Sequence, residues 1–296
     1  MTKAPFYVGV DGGGTKCKAV IFDNDLSAIA EGIAGPANVA RDPVLAIRSI
    51  EQAITNAIAK LSFANELRLS DLHVSAGLAG ANITSAAEHL GHWQHPFKSF
   101  EFMTDLKAAT IGAHAGNDGA VLIVGTGSCS AAMRDHVLTQ IGGHGFLLGD
   151  NGSGAWLGRR AVTETLETLD HVRAPSVLTD KVLAHTGATN SIELIEQFNI
   201  LKPALFAQLA PIVFDAAIEQ DPHALSIISQ AADYLSTIAQ QAITQSNGQL
   251  VLVGGVATAI QPWLTKSVQS AIVPAQHGPE WGAVFHHLQQ EKIHYG

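Results

Sequence analysis

The stretch GVDGGGTKCKAVIFD, residues 9–23, decides how this chain is read. An apolar run, Phe6–Val10, stops at Asp11. Three glycines, Thr15 and Lys16 follow, and a second apolar run covers Lys18–Phe22. The pattern predicts strand, turn and strand. It is not a Walker A loop, because Thr15 precedes Lys16 and a strand rather than a helix comes next. It is not a dinucleotide fingerprint, because the third glycine fails at Cys17. A helix N-terminus therefore does not supply an anion site here. A glycine turn can instead expose successive backbone amides as a nest for phosphate oxygens. Gly12, Gly13 and Gly14 would let a phosphate approach the main chain closely, and Thr15 adds a hydroxyl donor. Asp11, at the strand end, is placed to hold a metal ion directly or through water. A plain hairpin turn, its glycines supplying only positive φ, is the competing reading.

The opening then repeats. Ala120–Val124 reads as a strand, Gly125-Thr126-Gly127-Ser128 as the turn and Cys129–Met133 as a second strand. The repeat predicts two related halves, each opening on a hairpin with a Gly-rich turn. Two such turns facing across a cleft could grip a polyphosphate from both sides. A third turn, Gly254-Gly255, follows the strand Leu250–Val253. Its glycines would let a flat ring or ribose lie on the backbone, with the next helix aiming its N-terminus at the ligand. An ordinary strand-to-helix turn is the alternative there.

Further elements fill in an α/β pattern. A helix is expected over Val44–Leu61, with Ile47, Ile50, Ile54, Ile58 and Leu61 on one face. Strands are expected at Leu72–Ala76 and Phe100–Met103, then a helix over 106–114. Residues 153–247 read as helical, punctuated by Pro175, Pro203 and Pro222. A helix should follow Gly255 to about Val268, then a short strand over Ala271–Val273 and a last helix over Glu280–Gln289.

The carboxylates carry the chemistry. Asp105 follows an apolar strand, where open α/β sheets place ligands. It could equally be a helix N-cap. Asp150 lies in the stretch from Gly142 to Gly154, which includes Gly143, His144 and Gly145. Such glycine density is costly to order unless the backbone must approach something. Asp150 also has a helix-capping alternative. Asn38, in Gly35-Pro36-Ala37-Asn38, is a turn residue by default, yet its amide could hold a polar ligand. His92, His95, His286 and His287 lack ligand partners at metal spacing and read as structural or surface residues.

Bulk properties narrow the class. With 17 Lys plus Arg against 26 Asp plus Glu, net charge −9, the chain lacks the basic patch of a nucleic-acid surface. The two cysteines, Cys17 and Cys129, cannot frame disulfides or a Cys-rich zinc site. The N-terminus has no secretory pattern and no stretch approaches a membrane span, so a soluble, cytoplasmic protein is expected.

Taken together, Gly9–Lys16, Gly35–Asn38, Thr104-Asp105, Gly125–Ser128, Gly142–Gly154 and Val253–Ala257 resemble the acetate and sugar kinase, Hsp70 and actin superfamily. Within it the chain resembles the BadF/BadG/BcrA/BcrD ATPase family, and there the N-acetylglucosamine and glucosamine kinases. The resemblance implies two duplicated ribonuclease-H-like α/β domains with the nucleotide cleft between them. Residues 1–114, completed by the C-terminal helix 281–296, would form one domain, and 115–280, with a helical insert, the larger other. It implies an ATP-dependent kinase acting on the 6-hydroxyl of N-acetylglucosamine, or of glucosamine, with Mg²⁺. Asp105 matches the catalytic base and a sugar contact. Asn38, Asp150 and the backbone at Gly143-His144-Gly145 match further sugar positions. Gly12, Gly13, Gly14, Thr15 and Lys16, with Gly125, Thr126, Gly127 and Ser128, match phosphate positions, and Gly254 and Gly255 match the adenosine turn. Asp11 matches the acid that positions Mg²⁺. A homodimer is implied by the same analogy. The rival within this fold is an ATPase that energises a partner and holds an iron–sulfur cluster through accessible cysteines. A zinc-bearing sugar kinase with three Cys ligands is excluded by the cysteine count. A non-catalytic sensor is the third alternative, disfavoured because Asp105 is present.

Overall fold

The computed structural model describes residues 5–200 and 202–295, with side chains through residue 290. Two compact units emerge. The first runs to Asn117 and resumes at Ala275, and the second is the continuous segment Asp118–Pro274.

The first unit begins with β1 (Phe6–Gly12), β2 (Cys17–Phe22) and β3 (Ala28–Ala34). It continues with α1 (Pro43–Ile58), β4 (Leu72–Leu78), α2 (Thr84–Gly91), β5 (Ser99–Thr104) and α3 (Asp105–Ala113). The sheet order is β3-β2-β1-β4-β5. β1 pairs antiparallel with β2 in the register Asp11↔Lys18, and parallel with β4. Burial on both faces explains the nearly continuous apolar character of β1, β2 and β4. Along β2 the faces alternate, as pleating requires. Ala19 and Ile21 join the core beneath α1, and Val20 and Phe22 join a second core with Val284. The α1 boundary is set by Asp42, whose Oδ1 accepts the Leu45 N–H at 2.9 Å, followed by Pro43 in the first turn.

The second unit repeats this plan with β6 (Gly119–Val124), β7 (Ser128–Arg134) and β8 (Val137–Gly142). Six helices follow: α4 (Gly154–Leu169), α5 (Val177–Thr186), α6 (Ser191–Phe198), α7 (Pro203–Ala207), α8 (Ala210–Ile218) and α9 (Pro222–Gln245). Then come β9 (Leu250–Val253), α10 (Ala257–Ile260) and α11 (Lys266–Ala271). Its sheet order, β8-β7-β6-β9, matches the first sheet position by position. A single parallel bridge, Leu250 to Ile272, stands where the first unit has β5. The expected strand over Ala271–Val273 is thus one bridge. The helix expected to reach Val268 is broken at Pro262, which cannot continue the hydrogen-bond ladder.

The last helix, α12 (Pro279–Tyr295), belongs to the first unit. Its approach is close. A Cβ on Gly9 would lie 1.9 Å from the Glu280 carbonyl oxygen, and one on Gly282 would lie 2.1 Å from that of Ala108. Only glycine lets these backbones meet. The link into α12 is held by Gln276 and His277, whose N–H groups donate to the Ala113 and Gly112 carbonyls of α3. Residues 115–117 and 275–280 accordingly group with the first unit, rather than beginning and ending the second.

Candidate active site

The turn between β1 and β2 is built inward by its carbonyls. The Gly12 oxygen accepts from the Ala79 N–H and the Gly13 oxygen from the Ala37 N–H, both at 2.8 Å. Gly13 N–H closes the turn onto Lys16 O at 2.9 Å. Gly14, Thr15 and Lys16 are exposed. None of Gly12, Gly13 and Gly14 has positive φ, so the hairpin-only reading of these glycines fails. Gly12 is small because Leu78 packs on it, at 2.5 Å from a would-be Cβ, whereas Gly14 faces open space.

Asp11, the penultimate residue of β1, is half-buried. Its carboxyl is pushed up to about 6, first by burial and then by the charges of Glu280 and Asp105, with Lys16 and Lys18 pulling the other way. Glu280, buried at the start of α12, was not legible as a neighbour of Asp11 in the sequence. It pairs with Lys18 at 3.3 Å, and Lys18 also reaches Glu31 at 3.2 Å. The excess of buried negative charge around Asp11 suits a divalent cation. Among the described residues no three His, Cys, Asp or Glu side chains form a metal-holding group.

Asp105 is the first residue of α3, but it is not the cap. Thr104 Oγ1 accepts the Lys107 N–H at 3.2 Å and fills that role. The Asp105 carboxylate is raised by burial, against hydrogen bonds from the N–H groups of Leu106 and of Asp105 itself. The N-cap alternative is therefore excluded, and a half-buried carboxylate sits at the C-terminal end of a parallel strand. Asn38 does act in a turn: its Oδ1 accepts the N–H groups of Ala40 and Arg41 at 3.1 and 3.0 Å. It also lines a cavity of about 410 Å³ shared with Gly14, Pro36, Arg41, Asp42 and Leu45. The structure thus joins a phosphate candidate and a sugar candidate at one cavity.

In the second unit the turn Gly125–Ser128 is tied to α4. The Gly154 N–H donates to Gly125 O at 2.8 Å and the Ala155 N–H to Thr126 O at 3.2 Å. Thr126 is exposed. Ser128 departs from expectation: its hydroxyl donates to Asn151 O at 2.8 Å, so it braces the loop. Asp150 is no helix cap either, since Ser153 Oγ accepts the Trp156 N–H and caps α4. Asp150 takes positive φ, 54°, a strained conformation for a non-glycine residue. Its Oδ1 accepts the Gly145 N–H at 3.1 Å, and the Ser128 N–H donates to the same carboxylate. Burial raises its pKa, while those bonds and His144 lower it. Gly143 and Gly145 have positive φ, and His144 and Gly145 are exposed. Gly127 explains itself here: a Cβ would lie 2.6 Å from Asp150 Oδ2. Gly127→Ala should therefore displace Asp150 and break its bonds to the Gly145 and Ser128 N–H groups. A crystal structure of the variant would check this, and an unmoved Asp150 would show that the close approach does not hold it.

Gly254, with φ of 112°, is required by close approach, since a Cβ would lie 2.3 Å from Val124 O. Gly255 faces open space. The helix dipole expected beyond them is not available, because α10 is a single turn of four residues.

The BadF/BadG/BcrA/BcrD ATPase family model matches residues 8–286. The glucosamine kinase GspK of Vibrio cholerae is 32% identical over 280 residues, 94% of each chain. The N-acetyl-D-glucosamine kinase of Dictyostelium discoideum is 27% identical over 254 residues, 77% of this chain and 76% of that one. The solved structure of a candidate N-acetylglucosamine kinase from Chromobacterium violaceum superposes with a TM-score of 0.87 at 28% identity, covering 95% of this chain and 98% of that one.

Proposed function

Because the chain belongs to the BadF/BadG/BcrA/BcrD ATPase family and has amino-sugar kinases among its relatives, we propose that it transfers the γ-phosphate of ATP to the 6-hydroxyl of N-acetylglucosamine. Glucosamine is the second reading, favoured by the 32% identity to a glucosamine kinase. The observation that carries the proposal is Asp105, a half-buried carboxylate relieved of capping by Thr104.

Phosphoryl transfer asks a protein for positioning and charge stabilisation more than for covalent chemistry. Asp105 orients the 6-hydroxyl and accepts its proton, which does not demand a large pKa shift. Asn38 and Asp150, with the backbone at Gly143-His144-Gly145, hold the sugar. The exposed amides and hydroxyls at Gly13–Lys16 and Gly125–Thr126 hold phosphate oxygens, and Gly255 lies under the adenosine. Asp11 would hold Mg²⁺, directly or through water, and the ion would supply charge neutralisation to the phosphates. The two units serve as two ribonuclease-H-like domains, in a cytoplasmic homodimer. Among the described residues no helix is long and apolar enough to cross a membrane.

The test is ADP release with Mg-ATP against N-acetylglucosamine, glucosamine, N-acetylmannosamine and glucose. A strong response to one amino sugar, lost in Asp105→Asn, supports the proposal and selects the sugar. A flat panel over steady background hydrolysis overturns it, in favour of the partner-activating ATPase.

A further inference from the structure

Phosphoryl transfer places negative charge on the three equatorial oxygens of the group in flight, and a cation beside them lowers the barrier. Two of the basic side chains around the first turn are engaged. Lys18 is shared between Glu280 and Glu31. Lys107 lies 3.2 Å from His286 Nε2. Lys16 is exposed in the turn itself. Arg41 differs from Lys18 and Lys107 in being unengaged, and from Lys16 in lining a cavity. It lines the cavity of about 410 Å³ with Gly14 of the phosphate turn and Asn38 of the sugar set. Its main chain is fixed, since its N–H donates to both Asn38 Oδ1 and Asn38 O. Among the described residues no ion pair engages its guanidinium. Among the described residues the one acid lining the same cavity, Asp42, spends an oxygen on capping α1.

Resting on the kinase reading above, we infer that Arg41 binds the phosphoryl group as it is transferred, and hence the 6-phosphate of the product. In that step the sugar O6 attacks Pγ and the O6–P bond forms. The bond from Pγ to the bridging oxygen breaks, its electron pair leaves on ADP, and the O6 proton passes to the Asp105 carboxylate. The planar guanidinium fork matches two phosphoryl oxygens at once, which a lysine ammonium cannot do. The fixed backbone at Asn38–Arg41 couples sugar recognition to that contact.

Arg41 is exposed, so Arg41→Ala and Arg41→Lys should fold as the parent does. Calorimetry would measure binding of each variant to the amino sugar and to its 6-phosphate, beside kcat and the two KM values. Arg41→Ala is expected to weaken the sugar 6-phosphate about tenfold and to lower kcat about tenfold or more, with affinity for the free sugar unchanged. Arg41→Lys should recover part of the loss. Equal binding of the 6-phosphate by parent and Arg41→Ala overturns the inference, as does equal weakening of sugar and sugar phosphate. A parent enzyme that neither phosphorylates nor binds any amino sugar instead overturns the kinase reading on which the inference stands.

Discussion

Asp105→Asn is expected to lower kcat by about 10²–10⁴ while the amino sugar still binds within a few-fold of the parent affinity. The substitution is narrow in its effects. Thr104, not Asp105, caps α3, so the helix keeps its N-terminus. An asparagine Oδ1 can still accept the Leu106 N–H that now reaches the carboxylate at 2.9 Å. What is lost is the ability to take a proton. Burial raises the Asp105 pKa, so the parent rate should fall at low pH as that carboxylate protonates. The variant should lack this limb. Stopped-time ADP assays across pH, with sugar binding by calorimetry, provide the check. A variant turning over at the parent rate would remove Asp105 from the chemistry.

Asp11→Asn should do two opposite things. Activity should drop by about 100-fold or more, because the acid proposed to position Mg²⁺ is gone. The free protein should become more stable at neutral pH. The Asp11 carboxyl has a folded pKa of about 6 against an ordinary 3.8. The folded state therefore holds this proton more tightly than the unfolded state does. Stability is present below 3.8 and is lost as pH rises through about 6, by up to about 3 kcal/mol. Asparagine copies the neutral form, so the variant should gain that amount at pH 7.5 in chelator, without nucleotide. The gap should close towards pH 4. Melting temperatures of both proteins across this range decide the matter. A gap independent of pH would show that the Asp11 charge costs the fold nothing.

This trade explains why the acid is present at all. Asp11 stands among Glu280 and Asp105 with only lysines to offset them, an arrangement that is uphill for folding alone. A cation would reverse the sign of the interaction.

Local chemistry made much of the site readable. The two glycine turns were legible because strand, glycine, hydroxyl and strand recur in order, and the matching sheet orders bear out the duplication. The edge strands β3 and β8 were not. The sequences AIAEGIA and VLTQIG mix apolar and polar residues because each strand has one open edge and much exposed surface. The roles of single glycines were also hidden. Gly127 and Gly254 look like loosely built turns, yet each is small because a distant group, Asp150 or Val124, comes within touching distance. Ser128 looked like a phosphate donor by analogy with Thr126, but the partner that claims its hydroxyl, Asn151, lies on another loop. Glu280 was invisible as a companion of Asp11 because the two meet only through the packing of α12 on β1. Arg41 carried no motif, and only the cavity it shares with Gly14 and Asn38 draws attention to it.

The closing of the first unit by α12 sets an order of events during synthesis. A ribosome delivers β1 to α3 early, but Val20 and Phe22 then present an uncovered greasy face until Val284 arrives. Between those moments the whole of the uninterrupted segment Asp118–Pro274 must emerge. The half that enters the cell first is thus the half that matures last.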